Sequence, residues 1–269
     1  MERDDAGAYH LTQLGRLAGQ SATEVRSIIR LVDCLRRVQP EEISDPALIT
    51  AAQVTAELDD VLFPINKKST QKEPQVWHYE LRRLGVPGVL LNVLQMNAID
   101  SHQLTLRAKK AVACLLFVSG KPMSEIEATM TQFGGAFGGA AGPIRAAASR
   151  TSDLLPVTAR VAEILHPALE LGDRIGRLTM RLTYGVSAAC VDLAREAGAE
   201  FLRGDYRRLE DADLLEPDRV AVAEDSELLQ CLDHDQVKVA TLRAAAHSVG
   251  ELRRQAGKVA SPILEPYVA

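Results

Sequence analysis

Between Gly142 and Gly185 the apolar residues recur at the spacing of an α-helix, and this periodicity constrains the fold more than any other feature of the chain. With about 100° between successive residues, Ile144, Ala147, Ala148, Thr151, Leu154, Leu155, Thr158, Val161, Ala162 and Leu165 share one side. Arg145, Ser149, Ser152 and Arg160 fall on another. A second stripe of Leu171, Ile175, Leu178 and Leu182 follows, with Arg174, Arg177 and Arg181 aligned beside it. Two consecutive helices are therefore expected, each pairing a core-facing stripe with a cationic edge. Most such arginines are ordinary solvated surface. Around Arg145, however, the neighbours are small (Ala146, Ala148, Ser149, Ser152), so a nucleic-acid backbone could approach closely.

The same periodicity extends over most of the chain. A loose alternation at Tyr9 and Leu11 within YHLTQLGRL suggests a short strand or extended segment over Tyr9–Leu17. Ser21, with Glu24 three positions later, reads as a capping box for a helix carrying Val25, Ile28, Ile29, Val32 and Leu35 inward. One helix is expected from about Asp45 to Leu62, then a loop through PINKKSTQKEPQ, and then a helix carrying the only tryptophan, Trp77, which could stack on a base but reads more readily as a core or interface residue. Leu104, Ala108, Ala111, Val112 and Leu115 form the next stripe, with Arg107, Lys109 and Lys110 expected on its exposed flanks. Pro122 suits a helix start. The run FGGAFGGAAG lacks both a preceding strand and a GK[ST] ending, so it reads as a flexible connector rather than a phosphate loop. Beyond Ser187 come several short helices, and a long one from about Asp235 to Gly257 turns Val237, Val239, Leu242, Ala246, Val249 and Leu252 mostly inward. The expectation is an all-α protein of about eleven helices.

Composition narrows the function. At 46% apolar residues, 269 residues can bury a sizeable core. No apolar run approaches the roughly 20 residues that span a bilayer, and the acidic start MERDDAGAYH is unlike a secretory signal, so the expected location is the cytoplasm, with no membrane partner. Cys34, Cys114, Cys190 and Cys231 are widely separated inside helical patterns and read as buried thiols, and the histidines show no metal-ligand spacing. The net charge of -5 hides an asymmetry. Ser101 to Leu182 carries ten Lys and Arg against six Asp and Glu, whereas Glu196 to Asp233 carries twelve acids against four bases. A polyanion would meet the middle of the chain.

Four segments, RAKKAVACLLFVSGKPMSEIEATM, GPIRAAASRTSDLLPVTARVAEIL, RLTMRLTYGVSAACVDLA and DLLEPDRVAVAEDSELLQCL, together resemble the C-terminal region of superfamily-2 DNA helicases. The similarity is greatest to archaeal DNA-repair helicases and the helicase part of DNA polymerase theta. In that family a helical bundle follows the motor domains and a winged helix, and its long ratchet helix lies across the tunnel holding the translocating single strand. The resemblance implies a multi-helix bundle with a ratchet-type helix beginning near Gly142. It also implies a degenerate helix-hairpin-helix element after RLTYGV and a short winged-helix remnant at YHLTQLGRL. The implied organisation is 1–40 winged-helix remnant and linking helix, 41–100 helical insertion, 101–195 ratchet-like bundle, and 196–269 hairpin element and final helices.

Three departures limit the resemblance. Ser152 or Asp153 stands where the family often has a tryptophan, Pro156 is expected to kink or split the ratchet helix, and the hairpin lacks closely spaced glycines. The chain contains neither GxxxxGK[ST] nor a DExH-type box, so no cofactor is expected in it. ATP and magnesium are expected only on a motor joined in cis or in trans. The expected role is that of a non-catalytic helicase region, either a fragment or a separate subunit. Arg145, Ser149, Ser152, Arg160, Arg174, Arg177 and Arg181 would contact a single strand, DNA favoured. The rival reading is a helical interaction module whose acidic half docks a basic partner.

Overall fold

A computed structural model describes residues 2–3, 9–65, 73–132 and 139–259. The loop expected around PINKKSTQKEPQ, the glycine-rich run and the closing prolines fall wholly or largely outside these residues. The chain divides into two compact units, Met1–Gly185 and Val186–Ala269.

The fold is all-α. In the first unit a two-residue antiparallel ladder, β1 (Glu2–Arg3) with β2 (Tyr9–His10), is the extended structure among the described residues. The strand expected to reach Leu17 stops at His10, because Thr12 Oγ1 accepts the Gly15 N–H at 3.1 Å and starts helix α1 (Gln13–Gln20). Ser21 ends α1 instead of starting the next helix, and α2 (Val25–Leu35) begins after Glu24. Val25 and Ile29 are exposed, so the buried face of α2 is narrower than its apolar sequence suggests. The single helix expected over 45–62 is two, α3 (Asp45–Ala52) and α4 (Ala56–Asp59). Ser44 caps α3, and Thr55 returns its hydroxyl to the Ala52 carbonyl at the break.

Helices α5 (Glu73–Arg83), α6 (Gly88–Met96), α7 (Ser101–Val118), α8 (Met123–Thr131), α9 (Ala141–Leu165) and α10 (Gly172–Tyr184) complete the unit. Helix α9 is its axis, packing against α1, α2, α3, α4, α7 and α10. So many neighbours can approach because Ala147, Ala148, Ala159 and Ala162 keep its buried face thin. The stripe read from the sequence is the buried one, from Ile144 to Ala162. Each fully buried leucine such as Leu155 contributes about 2 kcal/mol.

Pro156 does not split this helix, which runs unbroken for 25 residues. An interior proline costs about 3 kcal/mol. Leu154, Leu155, Thr158 and Val161, buried on either side of it, hold both halves in register. Pro156 itself lies on the exposed face.

Arg107, Lys109 and Lys110 correct the sequence reading most sharply: expected at the surface, all are fully buried. Arg107 forks onto Asp59 at 2.8 and 2.7 Å, and Asp59 also accepts from Arg30 and Gln103. One carboxylate thereby ties α2, α4 and α7 together. Lys109 pairs with buried Glu73 at 3.0 Å, and its ammonium lies 5.3 Å from the Trp77 ring centroid. Trp77 itself is buried as expected. Lys110 donates to the Leu58 carbonyl. These long side chains satisfy groups at the end of α4 and the start of α5 that apolar residues would leave unpaired.

The second unit contains α11 (Val191–Ala197), α12 (Arg203–Asp211), α13 (Pro217–Val222), α14 (Asp225–Cys231) and α15 (Gln236–Val259). Helix α15 packs on α11, α13 and α14, and α12 packs on α14. Val239, Leu242, Ala246 and Val249 face inward as expected, but Val237 and Leu252 are exposed. Buried Asp205 accepts from Arg208 at 2.6 Å and from Lys238 at 2.8 Å, fixing α12 to α15. The turn between α14 and α15 places Asp233 and His234 at positive φ. The chain thus has fifteen α-helices among the described residues, against about eleven expected. The excess consists of short helices whose patterns are too brief to separate by period.

Candidate nucleic-acid interface

The seven strand-contact residues read from the sequence all lie on α9 and α10, which run side by side. Their environments differ. Helix α9 starts at a turn where Gly139 has φ +90°, and Glu127 Oε1 accepts the Ala140 and Ala141 N–H groups at 2.7 and 2.8 Å. The carboxylate complements the positive end of the helix dipole. A phosphate on this helix would therefore meet its side face rather than its N-terminus.

Arg145 and Ser149 are exposed on that face, and Arg145 has no hydrogen bond or ion pair among the described residues. Ser152 lies on the same angular sector but is buried, its hydroxyl donating to the Thr179 carbonyl at 3.4 Å. It is a contact between α9 and α10. Arg160 is exposed and pairs with Glu163 one turn along at 3.1 Å. Such a pair is weak and competes little with a phosphate.

The arginines of α10 are more deeply committed. Arg174 Nε donates to Asp45 Oδ1 at 2.7 Å and its Nη1 to the Ile43 carbonyl at 3.1 Å. Arg181 donates to Asp45 Oδ2 at 2.7 Å and to the Val118 carbonyl at 3.0 Å. Arg181 is only 16% exposed. Both guanidinium groups thus join α10 to the start of α3. Arg177 is half-buried and has polar interactions of its own.

The apolar stripe of α10, Leu171, Ile175, Leu178 and Leu182, is buried as read from the sequence. On its outer side Gly172 and Gly176 have open space where a side chain would stand. With Ser149 and Pro156 exposed on α9, small residues on the outer face of the pair stand among exposed Arg145, Asp153 and Arg160.

Sequence reasoning missed Asp45, Glu127 and the buried RAKK run. Asp45 carries no local signal, since its partners are 129 and 136 residues away. For Glu127 a signal exists, because an acid upstream of a long helix without its own capping residue is a candidate cap, although Glu125 beside it reads the same way. Among the described residues no group of three or more His, Cys, Asp or Glu could hold a metal ion. No helix among them is long and apolar enough to cross a membrane. Burial pushes the thiols up, Cys34 to about 12 and Cys114 to about 11, so neither is a nucleophile at neutral pH. No protein-family model matches the chain, and a comparison with curated proteins finds no match.

Proposed function

We propose that the first unit guides a single nucleic-acid strand, DNA favoured, as the helical bundle of a superfamily-2 helicase does beside its motor. The observation that carries this reading is Arg145, a cation without an ion pair among the described residues, on the exposed side of a 25-residue helix, with small Ser149 beside it. Arg160 and Arg177 extend the contact along α9 and α10, whereas Arg174 and Arg181 act mainly by fixing α10 in place. Contacts to phosphate hold a strand without reading its sequence, which suits a strand that must slide. ATP and magnesium belong to the motor, joined in cis or in trans.

Fluorescence anisotropy with a labelled oligothymidylate tests the reading. The chain should bind at low salt, and Arg145→Glu should weaken binding and lower the slope of log affinity against log salt by about 1. No binding at low salt, by the chain alone or joined to its motor, would end the reading.

A second reading is favoured by the ion pairs of Arg160, Arg174 and Arg181, which use these cations inside the protein. In it the chain is an interaction module whose acidic second unit docks a basic partner. Asp211, Asp213 and Asp225 are 67%, 70% and 74% exposed there, although each also has an arginine partner. Binding of polylysine that is lost in Asp211→Lys and unchanged in Arg145→Glu would support this reading over the first.

A further inference from the structure

A groove of about 380 Å³ opens between α5, α6 and α7, away from the residues singled out in the sequence. Helix α5 supplies one face of it, where Gln75, His78, Tyr79 and Arg82 recur at helical spacing. Gln95 of α6 and Leu104 of α7 close the other side. The volume lies at the lower end of small-ligand sites, the size of a single nucleotide rather than a folded peptide segment.

Its chemistry is mixed in a particular way. Tyr79 is 66% exposed, an aromatic ring left at the surface although the same helix buries Trp77 and Leu81. Arg82 is exposed and has no hydrogen bond or ion pair among the described residues. The nearest acid on the helix, Glu80, is engaged by both Nε and Nη2 of Arg83 at 3.0 and 2.7 Å, so it does not neutralise Arg82. Among the described residues no carboxylate lines the groove. His78 is half-buried, and burial together with the Arg82 charge holds its pKa below the ordinary value, so its ring is neutral at pH 7. Gln75 and Gln95 each offer an amide donor and acceptor at the rim.

We infer that this groove holds one unpaired nucleotide of the bound strand, its base stacked on Tyr79 and its phosphate on Arg82. A base needs a flat apolar wall and a few amides, and a phosphate needs a cation free of competing carboxylates. Both occur within one helical turn, Tyr79 and Arg82 being three residues apart on the same face. The site supplies the aromatic contact that α9 lacks at Ser152. This inference rests on the strand-binding reading above.

The test uses the whole chain and labelled oligothymidylate at low salt, beside a strand of equal length with abasic positions. Tyr79→Ala should weaken oligothymidylate binding by about five-fold or more, the lower end of one lost base stack. Tyr79→Phe should retain the affinity. The abasic strand should bind the unaltered chain more weakly and be indifferent to Tyr79→Ala. An oligonucleotide carrying 4-thiothymidine should crosslink to the peptide containing His78 and Tyr79. If Arg145→Glu weakens binding while Tyr79→Ala does not, or if both strands bind alike, the groove is not a base site and the strand reading stands without it. If the unaltered chain binds no strand, both fall. Competition by polyglutamate that depends on Tyr79, without a crosslink, would assign the groove to an acidic peptide and overturn the proposal.

Discussion

Asp45 Oδ2 accepts a 2.7 Å hydrogen bond from Arg181, although 136 residues separate them, and Oδ1 of the same carboxylate accepts one from Arg174. One acid at the first turn of α3 therefore holds two turns of α10. Asp45→Asn should cost about 2 kcal/mol, because Arg181, mostly buried, keeps its charge and loses its counter-ion. Arg174→Ala should cost less than about 1 kcal/mol, since that side chain is 44% exposed. Urea unfolding of the two variants separates these outcomes.

Lys110 makes stability depend on pH. Burial, partly offset by Asp59, pushes its pKa down to about 8 from 10.5, with Arg107 adding to the fall. The unfolded chain thus binds more protons than the folded one between these values, and stability from this group rises with pH in that window. From pH 7 to pH 9 the gain should be about 1 kcal/mol. Cys34 and Cys114, whose pKa values are raised, act in the opposite direction above pH 9. The measurement is therefore the stability difference between the native chain and Lys110→Met, which should move in favour of the native chain as pH rises from 7 to 9.

The Lys109–Glu73 pair is buried on both sides and lies against Trp77. Lys109→Met alone should destabilise by about 3 kcal/mol, because Glu73 would remain as an unpaired buried charge. Adding Glu73→Gln should recover most of the loss while leaving an acceptor for the Trp77 indole N–H, which now donates to Glu73 at 3.2 Å. Trp77 is the only tryptophan, so its fluorescence in a denaturant titration reports this site directly.

Pro156 and Gly176 occupy helix interiors on the outer face of α9 and α10. Pro156→Ala restores a backbone donor toward the Ser152 carbonyl and should stabilise by about 2 kcal/mol. Gly176→Ala meets nothing within 4 Å and should add about 0.5–1 kcal/mol. Thermal unfolding of both variants checks this. Under the strand-guiding proposal the methyl group added at Gly176 should also weaken oligonucleotide binding.

Much of the fold was legible because burial imposes a period on the chain. The stripe from Ile144 to Ala162 and that from Leu171 to Leu182 are the buried faces of α9 and α10. Legibility failed where a residue's chemistry and its place disagree. RAKK reads as a charged flank, yet Arg107, Lys109 and Lys110 are inside because Asp59, Glu73 and the Leu58 carbonyl await them there. Of the candidate interface, Arg145 and Ser149 lie where the helical angle places them. Ser152, at nearly the same angle, is covered by α10.

The sequence by itself determined that this protein is helical, which side of α9 and α10 faces the core, and where charge of each sign accumulates. Those properties depend on neighbours within a few turns, and local spacing encodes them. Only the tertiary structure decided which arginines are committed. Arg181 is bound by a carboxylate far away in the chain, whereas none among the described residues reaches Arg145. That distance closes only when α3, α7, α9 and α10 pack around one core.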